Sequence, residues 1–487
     1  MSLTQSFSHR LFSGPNSPLV LSANQPDVVL DLQQFRQQVS ALSGVLVKRP
    51  EKRWVLWADT AKGFIVQFFA LCAANKHIVL PGNLMLGTMQ NLAGQFDALL
   101  TESPFGQSNQ LSYDLVQLVY LDALHARDAL PENQSEAVLQ LSDHIEVTLY
   151  TSGTTGEPKS IYKTLELLLV EVQAQHQLWG ERLANHCVIS TVSHQHIYGV
   201  LHYILWPLYR GAAVIDEVVQ YPESLIGIAC HLAPMVLVSS PTHLKRLPEC
   251  SLSAELEEAK PVFSAIFSST GVLPLADSQA VAKLTGEVPW EIFGSTETGG
   301  VAWRQQKGEM PHYWQPIPGV KVQQAEDTGC LLIEAEHIAE EGIYEMSDLV
   351  AFSPNDNNRF LLKGRVDKVA KVEGKRFSLT EMEKRLVAHP LVIDSRVLVV
   401  NSAKRDEVYV VAVLSDAGNE KIKLGKKRAV NLQLKQYLAN YFEQPLLPRK
   451  WRYVTRFPAD SQGKVTYQQL IGLFDTATAS TAKLEQV

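Results

Sequence analysis

The ten residues Tyr150-Thr151-Ser152-Gly153-Thr154-Thr155-Gly156-Glu157-Pro158-Lys159 decide how the rest of the chain is read. An apolar, β-branched run over residues 145–149 leads into them and predicts a strand. The stretch then holds five hydroxyl side chains, two glycines and a lysine. Gly153 and Gly156 free the backbone to bring N–H groups up to an anion, the hydroxyls donate further hydrogen bonds, and Lys159 adds a point charge. A strand ending in such a loop is built to hold phosphate. Taken alone, the same composition also describes a solvated turn, so the surrounding sequence has to decide.

The same grammar recurs downstream. Residues 188–192 predict a strand that runs into Ser193-His194-Gln195-His196-Ile197-Tyr198-Gly199, followed by an apolar helix to Tyr209. Residues 261–267 run into Ser268-Ser269-Thr270-Gly271, and residues 291–293 into Gly294-Ser295-Thr296-Glu297-Thr298-Gly299-Gly300. Further short apolar strands at 53–57, 77–80, 212–215 and 235–238 alternate with helical stretches, including 164–178 after the glycine-rich loop. Strands and helices in alternation predict a mostly parallel α/β sheet, with ligands at the carboxyl ends of its strands. Three small-residue loops at strand ends can then converge on one cleft.

From 329 to 362 the helical signal fades, and short strands at 331–335 and 359–362 predict a small β-rich subdomain. Gly364-Arg365-Val366-Asp367-Lys368 reads as a turn joining two bodies. Beyond it, strands at 396–400 and 408–414 with helices near 379–387 and 432–442 predict a small α+β domain. The expected architecture is α/β: a large N-terminal domain (1–364) of stacked α/β sheet subdomains plus the β-rich subdomain, then a small mobile α+β C-terminal domain (365–487).

Length and composition agree with two bodies. A chain of 487 residues is too long for one core, and 46% hydrophobic against 20% charged residues describes an ordinary globular protein. Cys72, Cys187, Cys230, Cys250 and Cys330 are scattered, without a Cys-x-x-Cys pair, which favours a reducing compartment and argues against a zinc site. Residues 1–14 lack the apolar core of a signal peptide. The best apolar run, 64–74, is interrupted by Gln67 and falls short of the ~20 residues a bilayer requires. A cytoplasmic protein with no transmembrane segment is expected. The net charge of -7 is uneven: from Arg365 onward 22 Lys+Arg face 13 Asp+Glu, a balance of +9, which leaves -16 for the first 364 residues. A basic terminal quarter suits a separate ligand or partner, although Lys421, Lys423, Lys426, Lys427 and Arg428 also read as a solvated face.

Six motifs in order carry a resemblance. Tyr150 to Lys159, His196-Ile197-Tyr198-Gly199, Phe293 to Gly300, Ser347-Asp348-Leu349-Val350, Gly364 to Ser378 and Phe457-Pro458-Ala459-Asp460-Ser461-Gln462-Gly463-Lys464 together resemble the adenylate-forming superfamily of acyl-CoA synthetases, luciferases and peptide-synthetase adenylation domains. The resemblance covers about residues 145–470; residues 1–140 contribute no motif. It implies an AMP-forming ligase in which a carboxylate attacks the α-phosphate of ATP to give acyl-adenylate and pyrophosphate, after which a thiol displaces AMP to give a thioester. Such chemistry depends on neutralising nonbridging oxygens and orienting the nucleophile more than on a covalent helper.

By the resemblance, Thr151, Ser152, Gly153, Thr154, Thr155, Gly156 and Lys159 cradle the β- and γ-phosphates. In the loop Phe293, Gly294, Ser295, Thr296, Glu297, Phe293 would stack on adenine, Thr296 would bond the α-phosphate and Glu297 would hold Mg²⁺. Ser269, Thr270 and Gly271 would line the opposite wall. Asp348 would accept from the ribose hydroxyls, Arg365 would add a ribose or phosphate contact, and Asp367 would be the hinge. Lys464 would reach the reacting carboxylate and α-phosphate, then swing away while Lys371, Gly374 and Arg376 face the thiol donor. His196 would border the acyl pocket and gate the pantetheine tunnel, its competing reading being a satisfied core histidine.

Amino-acid-activating relatives carry an aspartate beside the aromatic of that loop. Here Gln195 and Ile197 flank His196 and the next acid downstream is Asp216, which implies a simple carboxylic acid, with Trp303, Tyr198 and residues 238–243 around it. Ser269-Thr270-Gly271 and Thr191-Val192-Ser193 depart from the family's glycine-rich and proline-containing versions. The thiol is that of CoA, or alternatively the phosphopantetheine of an acyl carrier protein, and a basic terminal domain suits either. Nucleic acid is not an expected partner, and no transmembrane segment is expected. The competing class is a non-catalytic nucleotide-binding scaffold, against which Lys464, Glu297 and Asp348 all stand.

Overall fold

The helix Ala61–Ala73 is apolar on every face and is buried on every face, which is possible only between two layers. It packs against strands of two different sheets, and these sheets make the first of two compact units, Met1–Val322 with Ile333–Tyr344. The computed structural model describes residues 2–23, 27–84, 88–89, 92–102, 119–122, 139–152, 158–232, 234–250, 263–308, 312–338, 342–365, 369–372, 375–401, 406–442, 444–458 and 465–474.

In chain order the strands of this unit are β1 (Pro18–Leu21), β2 (Val28–Asp31), β3 (Arg53–Trp57), β4 (His77–Leu80), β5 (Ala98–Thr101), β6 (Val119–Asp122), β7 (Glu146–Ser152), β8 (Pro158–Thr164), β9 (Cys187–Ser190), β10 (Val214–Val218), β11 (Met235–Ser239), β12 (Phe263–Ser268), β13 (Trp290–Ser295), β14 (Gly299–Gln305) and β15 (Gln315–Pro316). One sheet has nine strands in the order β15-β14-β13-β12-β11-β9-β10-β1-β2, and the other six in the order β6-β5-β3-β4-β7-β8. The centre of each is parallel, as the alternating sequence predicts; antiparallel pairing is confined to the edges β1-β2, β13-β14-β15 and β7-β8. The fold is α/β.

Those antiparallel edges differ from the sequence reading in one important respect. The glycine-rich stretch does not pass from strand to helix: the chain forms β8 first, with Thr151 opposite Lys159 and Ser152 opposite Pro158. Only after Thr164, whose hydroxyl accepts from the N–H of Leu167, does the helix Leu165–Trp179 begin. The strand was hidden because one of its inward positions is occupied by Lys163 beside Ile161, which spoils the apolar alternation.

The apolar helix expected up to Tyr209 is a composite: one turn at Ile197–Gly199, a π-helical segment Val200–Leu205, then α-helix over Trp206–Arg210 capped by Gly211 at φ 77°. Pro207 lacks an N–H and its ring collides with the carbonyl four residues back, so the wider π turn just before it relieves an α-helical conflict.

The second unit is Gln323–Leu332 with Glu345–Val487. Here β16 (Lys321–Gln324), β17 (Cys330–Glu334), β18 (Tyr344–Ser353) and β19 (Asp356–Arg365) form a four-stranded sheet in sequence order. The hairpin β20 (Val369–Val372) and β21 (Lys375–Ser378) follows, then a three-stranded sheet of β22 (Val392–Asn401), β23 (Asp406–Leu414) and β24 (Lys450–Val454). The helices Leu379–Val387 and Lys427–Leu438 bury Met382, Leu386, Val430, Leu434 and Leu438 with Val410 and Trp451 of that sheet. The basic residues Lys426, Lys427 and Arg428 remain exposed at the start of the second helix.

Candidate active site

Parallel strands all deliver their carboxyl ends to the same edge, and in the nine-stranded sheet β13, β12, β11 and β9 lie side by side. Short polar links stitch the loops that follow them. The Thr191 N–H donates to the Val238 carbonyl at 2.9 Å, and the Thr191 and Ser239 hydroxyls lie 2.8 Å apart. The Ser269 N–H donates to the Ser239 carbonyl at 3.4 Å, and its hydroxyl donates to the Ile292 carbonyl at 2.9 Å. Thr270, next in that loop, holds φ at 76°, a left-handed conformation that is a genuine outlier for a β-branched residue. Gly271 follows it, exposed.

The hairpin β13-β14 turns through Thr296, Glu297 and Thr298, with Ser295 opposite Gly299. Ser295 and Thr298 lock the turn reciprocally: the Ser295 N–H donates to the Thr298 hydroxyl at 3.0 Å and the Thr298 N–H to the Ser295 hydroxyl at 3.2 Å. Glu297 stands between them, half-buried, with Oε1 3.4 Å from Nζ of Lys159 on β8. Burial pushes the Glu297 carboxyl up, but its own backbone N–H, the Ser295 hydroxyl and Lys159 outweigh burial and hold it below the usual glutamate value. Phe293 on β13 lies 5.5 Å, ring centre to ring centre, from Trp314. Trp314 is held in turn by the Arg304 guanidinium 4.5 Å over its ring, and Arg304 is fixed by two bonds to the buried Glu291 at 2.8 and 2.9 Å.

Beneath this turn lies a buried polar group that sequence reasoning did not anticipate. Glu171, in the middle of the helix Leu165–Trp179, accepts from the Gly300 N–H at 2.6 Å. Lys163 on β8 donates to the His337 carbonyl at 2.9 Å, and all three side chains are buried. The available signal was a charged residue at an inward position in both cases, Glu171 within an apolar helical face and Lys163 within a strand.

A second group surrounds the helix after His196. Ring centres of Tyr198 and His202 lie 4.7 Å apart, His202 and Phe267 5.8 Å, Trp206 and Phe267 5.5 Å, and Trp179 and Trp303 6.2 Å. Within this aromatic set the Tyr198 hydroxyl, both His202 ring nitrogens and the indole N–H groups of Trp206 and Trp303 are buried without a hydrogen bond. Backbone of Ser239 lies near the tyrosine hydroxyl and backbone of Tyr198 near the histidine ring, neither at hydrogen-bond geometry. His196 itself caps the turn, half-buried, and Gly199 is required there because a side chain would strike the Ser193 carbonyl.

Several expected residues stand elsewhere or beyond description. Thr151 and Ser152 end β7, whereas Gly153, Thr154, Thr155 and Gly156 lie outside the described residues, as do Asp367, Gly374 and Lys464. In the second unit Asp348 on β18 faces Arg365 on β19 in register, the buried carboxylate 3.2 Å from the guanidinium. Lys371 and Arg376 are opposite one another on β20 and β21. The first unit thus brings Lys159 against Glu297, with Thr296 and Phe293 on the same hairpin as Glu297, and the second brings together Asp348 and Arg365.

The model of the family described as AMP-binding enzyme matches residues 22–337 of this chain. Among curated proteins, the 4-coumarate–CoA ligase of Cereibacter sphaeroides is 24% identical over 387 residues, covering 76% of this chain and 85% of that protein. The L-proline–[L-prolyl-carrier protein] ligase of Streptomyces coelicolor is 24% identical over 232 residues, covering 41% of this chain and 42% of that protein. Some relatives are far longer proteins, of which the match spans less than half. Among solved structures, ATP-bound MatB from Rhodopseudomonas palustris is similar with a TM-score of 0.77 at 18% identity, over 98% of this chain and 100% of that one, a likeness of fold. Among the described residues no helix is long and apolar enough to cross a membrane.

The buried histidines set a pH dependence. Burial holds His194 at about 4 and His202 at about 3, against 6.5 for a free imidazole. Both are neutral in either state well above pH 6.5; as pH falls through 6.5 the unfolded chain takes up protons that the folded chain refuses, so stability falls as pH drops toward 4. Each histidine accounts for a loss of about 2 kcal/mol between pH 7.5 and 5. Denaturant unfolding at the two pH values checks this, and His202→Leu is expected to remove about half of their joint contribution.

Proposed function

We propose, for a chain that belongs to the AMP-binding enzyme family, an ATP-dependent acid–thiol ligase that activates a carboxylic acid as its acyl-adenylate, releases pyrophosphate, and passes the acyl group to a pantetheine thiol. The observation that carries this reading is the Lys159–Glu297 contact, which joins the glycine-rich loop to the β13-β14 turn across 138 residues of sequence. An ammonium and an ionised carboxylate set among hydroxyls suit a triphosphate with a hard cation, which keeps one or two protein carboxylates and fills its shell with phosphate oxygens and water. Glu297 would hold Mg²⁺, whose chemistry is to neutralise charge on the phosphates.

The chain's own residues then have distinct tasks. Lys159 would face the β- and γ-phosphates beside Thr151, Ser152, Gly153, Thr154, Thr155 and Gly156, Thr296 would donate to the α-phosphate, and Phe293 would carry adenine with Ser269, Thr270 and Gly271 opposite. Asp348, already braced by Arg365, would accept from the ribose hydroxyls. Lys464 would stabilise charge at the α-phosphate during adenylation, and a turn about Asp367 would exchange it for Lys371, Gly374 and Arg376 at the thioester step.

For the acid, the aromatic set around His202 supports an aryl carboxylic acid that bears a hydrogen-bonding substituent. Rings favour offset or edge packing on Phe267, Trp206 and Trp303. Buried polar atoms without partners are rare, and a ligand hydroxyl reaching Tyr198 or His202 would satisfy them. CoA is the favoured thiol; an acyl carrier protein is the alternative, supported by the carrier-protein ligase relative and the +9 terminal quarter.

Carboxylate-dependent ATP–pyrophosphate exchange across a graded panel tests both levels of this reading. Hydroxylated benzoates and cinnamates are expected to exceed aliphatic acids by about tenfold or more in kcat/KM. Equal turnover of fatty acids would sink the aryl assignment, and no exchange with any acid would favour a scaffold. Glu297→Gln should lower exchange by about 100-fold or more. Lys464→Ala should abolish most adenylation while sparing thioester formation from supplied acyl-adenylate, and equal loss of both steps would contradict the domain-turn mechanism.

A further inference from the structure

Charge buried under the β13-β14 turn is expensive. Taking a lysine and a glutamate out of water costs several kcal/mol per ion unless good geometry repays it, and apolar side chains would fill the same space more cheaply. Burial pulls the Lys163 ammonium below the ordinary lysine range, and only the charges of Glu171 and Glu297 hold it up. What the charged groups supply, and apolar ones could not, is directional grip on backbone.

That grip falls on the turn presenting Thr296 and Glu297. Glu171 Oε1 takes the Gly300 N–H at 2.6 Å, a short bond to a carboxylate oxygen, while Oε2 has no hydrogen-bond partner and occupies the space a Cβ at Gly299 would need. Gly299 sits at φ 70°, and any side chain there would run into that carboxylate, so the turn and the glutamate fit only as built. The His337 ring lies near the backbone of Thr298 and Gly300, its Nε2 buried without a hydrogen bond. Lys163, four residues along β8 from Lys159 and therefore on the same face of the strand, ties the His337 segment down through its carbonyl. The strand carrying Lys159 to Glu297 thus also carries the ammonium that anchors the underside of the Glu297 turn.

We propose that Glu171, with Lys163 and His337, is a buried brace that positions the Thr296–Glu297 turn for nucleotide and cation, so that Glu171 is a positioning residue of adenylation acting through the Gly300 backbone. This rests on the ligase reading above for its function, but its structural half can be tested without activity.

The test uses the full chain and compares Glu171→Gln and Glu171→Ala with Val172→Ala, a buried apolar position of the same helix that offers the turn no hydrogen bond. Hydrogen exchange of the Gly300 amide, Mg·ATP affinity by calorimetry, melting temperature and pyrophosphate-exchange kinetics are measured for each. In Glu171→Gln the Gly300 amide should exchange about tenfold faster or more, the fold-change that losing a charge-assisted hydrogen bond supports. Mg·ATP affinity should weaken and KM for Mg·ATP rise by a similar factor, with KM for the acid unchanged; Glu171→Ala should be more severe. Val172→Ala should lower the melting temperature while leaving amide exchange and Mg·ATP affinity within about twofold. If both Glu171 variants keep Gly300 protection and Mg·ATP affinity within that same margin, the brace is wrong. Should wild-type protein bind no Mg·ATP, the ligase reading fails instead, and the Gly300 amide alone decides whether the brace exists.

Discussion

The contact between Lys159 and Glu297 is the interaction on which the proposed site depends, and it is weak in itself. Two partly exposed charges 3.4 Å apart at a surface add little to stability. Their importance lies in what each is attached to. Lys159 is locked into an antiparallel hairpin of the six-stranded sheet, and Glu297 into an antiparallel hairpin at the edge of the nine-stranded sheet. Both hairpins sit where a parallel sheet gives way to antiparallel pairing, so two rigid edges meet at one polar spot.

That arrangement explains why so many polar side chains are buried behind the turn rather than displayed on it. A site for anions and cations has to hold its binding groups in place without using up their hydrogen-bonding capacity, and the contact between Lys159 and Glu297 is too loose to do that alone. The fixing passes to the layer below: Ser295 and Thr298 to each other, Gly300 to Glu171, Trp314 to Arg304 and Arg304 to Glu291. The strained φ of Thr270 belongs to the same economy, being tolerated where the loop is held on both sides by Ser269 hydrogen bonds.

The aromatic set proposed for the acid follows a different logic. There the π-helical turn ahead of Pro207 widens the helix, and His202 lies within that widened segment among Tyr198, Trp206 and Phe267. A neutral imidazole in such surroundings can donate or accept at either nitrogen, which suits a ligand hydroxyl better than a charged group.

Order, type and spacing of residues along the chain determined the α/β class, the parallel centre of the sheets and the family, because strand runs ending in small polar loops are local patterns. Lys159, Phe293, Thr296 and Glu297 stood out as candidate site residues for the same reason. The hairpin at β8 was not, since Lys163 breaks the alternation that announces a strand, and neither was the composite helix before Pro207. Glu171 and His337 could not be connected to Gly300 from sequence at all, being 129 and 37 residues away along the chain. A buried charge is explained only by the partner that folding brings to it, and that pairing is a property of the tertiary structure alone.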